Sequence, residues 1–343
     1  MSKKAVTIRD IAHAVDMSEA TVSLARNGST LIKEETRKRV RAAADKLGYV
    51  PNLYARRLVS GKSGIIGLVV PDIENIYYSS FVRALSDRMA ASGFSLSIFI
   101  SSGSPEKEAR AIRDMISSRV EGIVYLPLNR PADLSESRRL LDSAGIPTVC
   151  ATTNVDKMNC VLCDLEGGMN SLTELILAEN PKRVVYLTGK PGVWTLDCRT
   201  EAFRAAIGKS DVKSEIIELE SVDYSTAFEA AGQFIAEPPD AVICVNDYTA
   251  LGVVNRLTEA KIKIPKQVSV TGFDDSIFSI ASPIPLTTVR QDINELVERT
   301  VGLLTRMIVQ ESTEREVICI PTTVVRRKTT KNPEKTNKRR PKS

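Results

Sequence analysis

Ala20, Thr21, Ser23 and Asn27, at helical spacing in the run TIRDIAHAVDMSEATVSLARN from Thr7 to Asn27, make a short, polar surface that can lie close to base-pair edges. A second set of chemically capable side chains stands where the strands of an α/β body would end. These are Asp72 with Tyr77 and Tyr78, the run Trp194 to Arg199, Asn246 with Asp247, and Asp274 with Asp275. Open parallel sheets bind small ligands beyond the carboxyl ends of their strands. Carboxylate, amide and guanidinium groups around aromatic faces suit a hydroxyl-rich or heterocyclic solute, held by paired hydrogen bonds and stacking. The plainer role for a strand-end Asp or Asn is to cap the next helix, and Asp247 is read that way. This is binding chemistry rather than turnover. The sole histidine, His13, falls in the first helix, and the body has no GxSxG, no P-loop and no GxGxxG after a strand.

The elements that position these groups follow from local pattern. Thr7 stands three residues before Asp10, a capping-box spacing, and Ile8, Ile11, Ala12 and Val15 share an apolar face, so a helix is expected over Ile8 to Val15. Asp16, Met17 and Ser18 break it, and Ser18 suits the N-cap of a second helix. A third helix, Glu34 to Leu47, is expected to turn Val40, Ala43, Ala44 and Leu47 inward and to end at Gly48. A bridge, PNLYARRLVSGKSG, runs from Pro51 to Gly64. Beyond it, expected strands Ile65–Val70, Leu96–Ile100, Gly122–Tyr125 and Thr148–Ala151 alternate with helices such as Phe81–Ser92 and Glu106–Arg119. A second series has strands Val161–Asp164, Val184–Thr188, Glu215–Leu219, Ala241–Val245 and Val268–Gly272, with helices Gly168–Glu179, Arg199–Ile207, Thr226–Ile235 and Thr249–Ala260. Two doubly wound parallel sheets, hence two lobes with a cleft between them, are predicted.

Charge is distributed unevenly. Residues 1 to 62 carry thirteen Lys and Arg against six Asp and Glu, and residues 326 to 343 carry nine against one, while the whole chain is only +5. The stretch between is therefore close to −10, so a basic head and a basic tail flank an acidic body. Phosphate binding at one end predicts this asymmetry. The tail, KNPEKTNKRRPKS, reads as a solvated, disordered charge run. The start, MSKKAVTIRD, has no secretory apolar region, and no apolar run approaches the roughly 20 residues a span needs, so a cytoplasmic protein is expected. Most of the six cysteines sit in apolar strand-like runs, as small hydrophobes do. Cys160 and Cys163 have CxxC spacing, but with no second pair nearby neither a metal nor a cofactor is expected.

Taken together, TIRDIA, ATVS, EETRKRV, LGYVPN, ARRL, GLVVPDI, VEGIV, VNDYTALG, SVTGFDD, LTTVRQD and VVRRKTT resemble the LacI/GalR family of bacterial transcription regulators over about Thr7 to Thr330. The resemblance implies a small all-α helix-turn-helix head over 1–50, a hinge over 51–63 and a two-lobed α/β body like periplasmic sugar-binding proteins over 64–330. Its N-lobe would hold about 64–164 and 293–320, its C-lobe about 165–290 and 321–330, with 331–343 left as the tail. It implies a repressor that binds a palindromic double-stranded operator as a homodimer. A small effector, a sugar or sugar derivative held between the lobes, would switch operator affinity. Carried over by position, Ser18, Glu19, Ala20, Thr21, Ser23 and Leu24 would lie on the reading helix, with Thr7 and Asn27 on phosphate. Asn52, Ala55, Arg56 and Leu58 of the bridge would also meet DNA, Ala55 and Leu58 as an apolar wedge in the minor groove. Tyr77, Tyr78, Trp194, Thr195, Arg199, Asn246 and Asp274 would face the effector.

Several positions depart from the family pattern. Leu24 stands where the family usually has Arg, and Glu19 is unusual on a surface facing DNA. Arg reads guanine through two hydrogen bonds, whereas Leu can only touch a thymine methyl and Glu can only accept, as from cytosine N4. Asp292 replaces the proline that usually follows VRQ, Ala202 replaces a glycine, and Thr152 stands where some relatives place an effector-binding acid. An enzyme on the same α/β body and a solute-binding transport component remain as alternatives. The first is opposed by the missing catalytic motifs, the second by the missing export signal and the basic head.

Overall fold

The computed structural model describes residues 6–26, 29–49, 63–127, 134–310 and 314–331, in two compact units divided between Ser63 and Gly64. In the first unit, Thr7 and Asp10 form a reciprocal capping box that starts α1 (Ile8–Val15). Asp16 ends it in a left-handed conformation, its N–H bonded to the carbonyls of Ala12 and His13. Helix α2 (Glu19–Arg26) opens on Ser18, whose Oγ accepts from the Thr21 N–H at 3.1 Å. Helix α3 (Glu34–Leu47) has no side-chain cap, and Glu34 and Glu35 in its first turn complement the helix dipole instead. Ile11, Ala12, Val15, Val22, Ala25, Val40 and Ala44 close the core of this unit.

Leu47 corrects the expectation, because it is 38% exposed rather than inward. Gly48, at φ +67°, bonds back to Asp45, and the Tyr49 N–H reaches the Ala44 carbonyl at 2.9 Å. This double return folds the residue after the glycine onto the last turn. Tyr49 therefore packs against the core, with the Arg26 guanidinium 4.6 Å from its ring centroid, and Leu47 is left outside. Asn27, Asn52, Ala55, Arg56 and Leu58, nearly all of the hinge, and residues 332–343 of the tail lie outside the described residues.

The second unit holds two parallel sheets. Strands β1 (Ile65–Val70), β2 (Ser95–Ile100), β3 (Gly122–Tyr125), β4 (Thr148–Ala151) and β5 (Asn159–Cys163) alternate with helices α4 (Ile76–Ala91), α5 (Pro105–Ser117) and α6 (Ser135–Ala144). Then follow α7 (Leu165–Leu177), β6 (Arg183–Gly189), α8 (Trp194–Ile207), β7 (Lys213–Leu219), α9 (Tyr224–Ala230), β8 (Ala241–Cys244), α10 (Asp247–Glu259), β9 (Ser269–Thr271) and α11 (Ile277–Ala281). The described chain ends with β10 (Thr288–Arg290), α12 (Ile293–Gln310), β11 (Val317–Ile320) and β12 (Thr323–Val325).

The first sheet runs β2-β1-β3-β4-β5-β11 and the second β7-β6-β8-β9, all parallel, while β10 and β12 form a separate antiparallel pair. In both parallel sheets the strand order reverses beside the first strand, at β1/β3 and at β6/β8. Such switch points open a crevice beyond the carboxyl ends of the strands. The chain passes between the lobes three times: after β5, between β10 and α12, and between β11 and β12. Helix α12 returns to pack along α4 and the first sheet. Alternation along the strands fills both faces: Ile66, Leu68 and Val70 enter one apolar cluster and Val69 the other, as expected for a sheet covered by helices on both sides. Cys160 and Cys163 fall on opposite faces for the same reason, so their CxxC spacing does not bring the two thiols together.

One buried carboxyl interrupts the first lobe. Glu108 is fully buried, with Oε1 accepting from Tyr125 Oη at 2.5 Å and Ser137 Oγ at 2.9 Å, and with Oε2 unpartnered. Burial pushes this carboxyl above its usual range, against the pull of the two hydrogen bonds. The folded chain thus keeps a proton that the unfolded chain loses near pH 4.3. The associated stability is complete below that pH and is lost as pH rises through the folded value. The melting temperature of the wild type relative to Glu108→Gln should therefore fall between pH 4 and pH 8 in calorimetry. A difference independent of pH would show that the folded carboxyl holds no extra proton.

Candidate functional site

A cavity of about 330 Å³ lies in the second unit, lined from both lobes. Asp72, Asn75, Tyr77, Tyr78 and Thr152 reach it from the first lobe. Lys190, Thr195, Arg199, Glu220, Ser221, Asn246 and Asp274 reach it from the second, and Gln291 from the crossing between β10 and α12. Asn75 caps α4 through the Tyr77 N–H at 2.9 Å, which sets both tyrosines in the first turn. Burial pushes both phenols up, so each enters the site as a neutral O–H.

Helix α8 begins at Trp194, five residues earlier than expected, so Trp194 to Arg199 is helix rather than a loop after a strand. Thr195 and Arg199 are then four residues apart on one face and both line the cavity. Trp194 points away: it is not among the lining residues and packs beside two apolar clusters. Arg199 is 7% exposed. Its Nη1 donates to the Val245 carbonyl at 2.6 Å, its guanidinium lies 4.1 Å from the Phe273 ring centroid, and Nη2 stands 3.6 Å from Asp274 Oδ1. Its Nε is buried without a partner.

Asp274 accepts from Gln291 Nε2 at 2.7 Å, and the Tyr77 hydroxyl donates to Gln291 Oε1 at 3.3 Å. A polar chain thus runs from the first lobe, through the crossing, to the second lobe. Gln291 was not anticipated from sequence. The available signal was its place in LTTVRQD, where it directly follows β10, a strand not expected from sequence. Asp274 and Asp275 both have positive φ, +113° and +56°, a conformation that costs a non-glycine residue about 1–3 kcal/mol and must be held from outside. The Asp274 N–H bonds to the Val289 carbonyl at 2.8 Å, and Asp275 accepts from Arg290 Nε at 2.7 Å, Arg327 Nη2 at 2.5 Å and Ser279 Oγ at 3.0 Å.

Asp247 does not cap α10; Asn246 does, accepting from the Thr249 N–H at 2.8 Å. The Asn246 Nδ2 donates to the Val222 carbonyl at 3.1 Å, which fixes the amide at the rim of the cavity. Asp247 is instead buried and accepts from Thr288 Oγ1 at 2.5 Å, the Ser276 N–H at 2.7 Å and Ser276 Oγ at 2.9 Å. Gly272 makes room for it, since a Cβ there would stand 2.3 Å from Asp247 Oδ1. Burial pushes the carboxyls of Asp247 and Asp274 upward. The negative charge of Asp274 pushes Asp247 further up, and Arg199 and the Gln291 hydrogen bond pull Asp274 back down.

In the first unit, Ser18, Glu19, Ala20 and Leu24 of the expected reading surface are exposed, and Thr21 and Ser23 are half-buried. The hydroxyls of Ser18 and Thr21 are 2.8 Å apart and bonded to each other. The Thr7 hydroxyl is exposed and donates to Asp10 Oδ2 at 2.7 Å. Among the described residues, no helix is long and apolar enough to cross a membrane.

Comparison with known proteins adds two family matches: residues 7–52 match the bacterial regulatory proteins of the lacI family, and residues 174–330 match a periplasmic binding protein-like domain. Catabolite control protein A of Staphylococcus epidermidis is 27% identical over 331 residues, covering 95% of this chain and 99% of that protein. A solved structure of the lac repressor dimer bound to operator and the anti-inducer ONPF superposes with a TM-score of 0.85 at 24% identity, over 95% of this chain and 99% of the other. The transcriptional regulator CelR in complex with cellobiose superposes with a TM-score of 0.69 at 23% identity, over 94% and 99%. With a capped helix-turn-helix head, two parallel sheets around a cavity that both lobes line with polar side chains and both family matches in place, the chain belongs to the LacI family: a DNA-binding transcription regulator with an effector-binding, periplasmic-binding-protein-like body, and not an enzyme.

Proposed function

We propose that this regulator is a repressor that binds a palindromic operator as a homodimer and whose operator affinity is switched by a neutral sugar or sugar derivative between the lobes. The observation that carries this reading is the cavity, lined by hydroxyl, amide and phenol groups from both lobes. Both cations of its lining are matched, Lys190 by Glu220 and Arg199 by Asp274, and Asp72 adds a third carboxylate. An anionic ligand would find no spare cation, whereas a polyol can exchange hydrogen bonds with paired charges without altering the charge balance. The cellobiose complex of CelR and the operator-bound lac repressor dimer are precedents on this fold. Surfaces for a second copy are available. Ile277 and Ile280 on α11 are 58% and 62% exposed, and Ile98 and Ile100 stand exposed on edge strand β2.

Effector coupling works by preference: a ligand that favours one lobe arrangement shifts the population of the DNA-competent state, typically by about 1–3 kcal/mol, or roughly 5–150-fold in affinity. The test is a footprint of the full-length protein on its own genome, followed by titration of the recovered sites with a panel of mono- and disaccharides. Sites whose occupancy no member of the panel changes would remove the sugar. On the same reading, Thr7, Ser18, Ala20, Thr21, Ser23 and Asn27 contact the duplex, and Leu58 wedges into the minor groove with Ala55, flanked by Asn52 and Arg56. Leu58→Ala should weaken specific binding by about tenfold or more, since unstacking a base step involves a few kcal/mol. Sedimentation and melting should match the wild type. Undiminished operator affinity in a gel-shift titration would count against the wedge.

A further inference from the structure

We infer that α2 selects its DNA through two uncommon readers, Leu24 for a thymine methyl and Glu19 for the exocyclic amine of a cytosine. The inference rests on the proposed function, in which the head binds duplex DNA, and it names what that head prefers. Helix α2 buries Val22 and Ala25 completely, which turns Ala20, Ser23 and Leu24 away from the core, while Glu19 stands exposed on the flank of the first turn. In helix-turn-helix heads the second helix enters the major groove and its early residues meet base edges.

Leu24 is 41% exposed, an apolar side chain left in water on an otherwise polar face. Ala20, one turn before it, adds no bulk, so Leu24 is the most protruding apolar group there. The only apolar group that the major groove presents is the thymine C5 methyl. The Ser18 and Thr21 hydroxyls bond each other, and the Arg26 guanidinium lies over the Tyr49 ring. A guanine contact by arginine is thereby withdrawn from this helix.

Glu19 has a side chain 61% exposed, and a carboxylate facing phosphates is disfavoured unless its charge is offset. Arg9 of α1 supplies the offset, with its Nε 4.0 Å from Glu19 Oε1. A carboxylate can only accept hydrogen bonds. Guanine presents two acceptors and thymine one, and adenine places acceptor N7 beside its amine, so cytosine N4 is the donor met with least repulsion. Arg9 is a positioning residue in this arrangement.

Duplexes selected from a random pool by the full-length protein provide the test. Uracil in place of thymine keeps base pairing and removes one methyl. The wild type should lose about fourfold in affinity at one thymine of each half-site, the equivalent of one buried methyl, and about fifteenfold when both are replaced. Leu24→Ala should bind the two duplexes equally. At one cytosine of each half-site, exchange of C·G for T·A should weaken wild-type binding by about tenfold or more and leave Glu19→Ala indifferent. Both substituted side chains are exposed, and unchanged circular dichroism and melting would verify the fold. Tolerance of uracil at every thymine, or retained discrimination in Leu24→Ala, overturns the Leu24 assignment; retained cytosine preference in Glu19→Ala overturns that of Glu19. A pool that yields no preferred duplex overturns the regulator reading itself, which a preferred duplex indifferent to both substitutions would not.

Discussion

Arg199→Lys is expected to lower effector affinity roughly a hundredfold while the second unit stays folded. The guanidinium already has several partners in the cavity. It is buried, spends Nη1 on the Val245 carbonyl, rests on the Phe273 ring, and keeps Nη2 near Asp274 without closing a hydrogen bond. Nη2 therefore keeps donors that a hydroxyl-bearing ligand can satisfy. Hydrogen bonds to charged groups contribute about 1.5–3 kcal/mol each, so losing one or two corresponds to a factor near a hundred. Lysine retains the positive charge that buried Asp274 needs, but it lacks the planar fork. Alanine is the harsher variant, because leaving a buried charge uncompensated costs about 3–5 kcal/mol and would confound binding with unfolding. Calorimetry with a sugar found by thermal-shift screening measures the affinity, and gel shift should show operator binding that no longer responds to it. Undiminished affinity in Arg199→Lys would take Arg199 out of the site.

Asp275→Ala should lower the melting temperature of the second unit by roughly 10 °C. Asp275 joins Arg290 of β10 to Arg327, just beyond β12, and so ties the last described segment onto the second lobe. Its own side chain is 8% exposed and that of Arg327 is 16% exposed, so this pair is shielded from solvent, whereas Arg290 at 52% contributes little. Breaking a buried pair from one side costs about 3 kcal/mol or more, and a domain of this size shifts about 2–4 °C per kcal/mol. Although burial opposes it, the hydrogen bonds from Arg290 and Arg327 hold the Asp275 carboxyl below its usual range. A depressed carboxylate contributes its stability above the unfolded value, near pH 3.9, and loses it as pH falls through the folded one. The gap between wild type and Asp275→Ala should accordingly be full at pH 7 and shrink below about pH 4. An acid-independent gap would mean that side-chain volume, not the ion pair, holds the segment.

The head was legible almost residue by residue. Its start and stop signals are local: Thr7 with Asp10, Ser18 before Glu19, and Gly48 after Leu47 each satisfy backbone groups within one turn. The strands were legible too, with β1, β3 and β4 at their expected limits, because parallel strands buried on both faces must be apolar throughout. Errors arose at helix ends and where neighbours far along the chain decide. Leu47 lost its inward place to Tyr49, and α8 began at Trp194 without a capping side chain to announce it. The separate pair β10 and β12, and the seating of β11 beside β5, join segments that no periodicity links.

From the order of its residues alone, this chain determined a basic three-helix head, an acidic body of alternating strands and helices, and the types of side chain at the strand ends. Those properties depend on contacts within a turn or a strand, which neighbouring residues specify by themselves. Tertiary structure decided which of the strand-end groups meet. It turned Trp194 away, brought Gln291 between Tyr77 and Asp274, and committed Asp247 to Ser276 and Thr288. Such choices come from the strand reversals at β1/β3 and β6/β8 and from three passages of chain between lobes. Their geometry exists only once separate segments have packed, 214 residues apart for Tyr77 and Gln291 and 41 for Asp247 and Thr288.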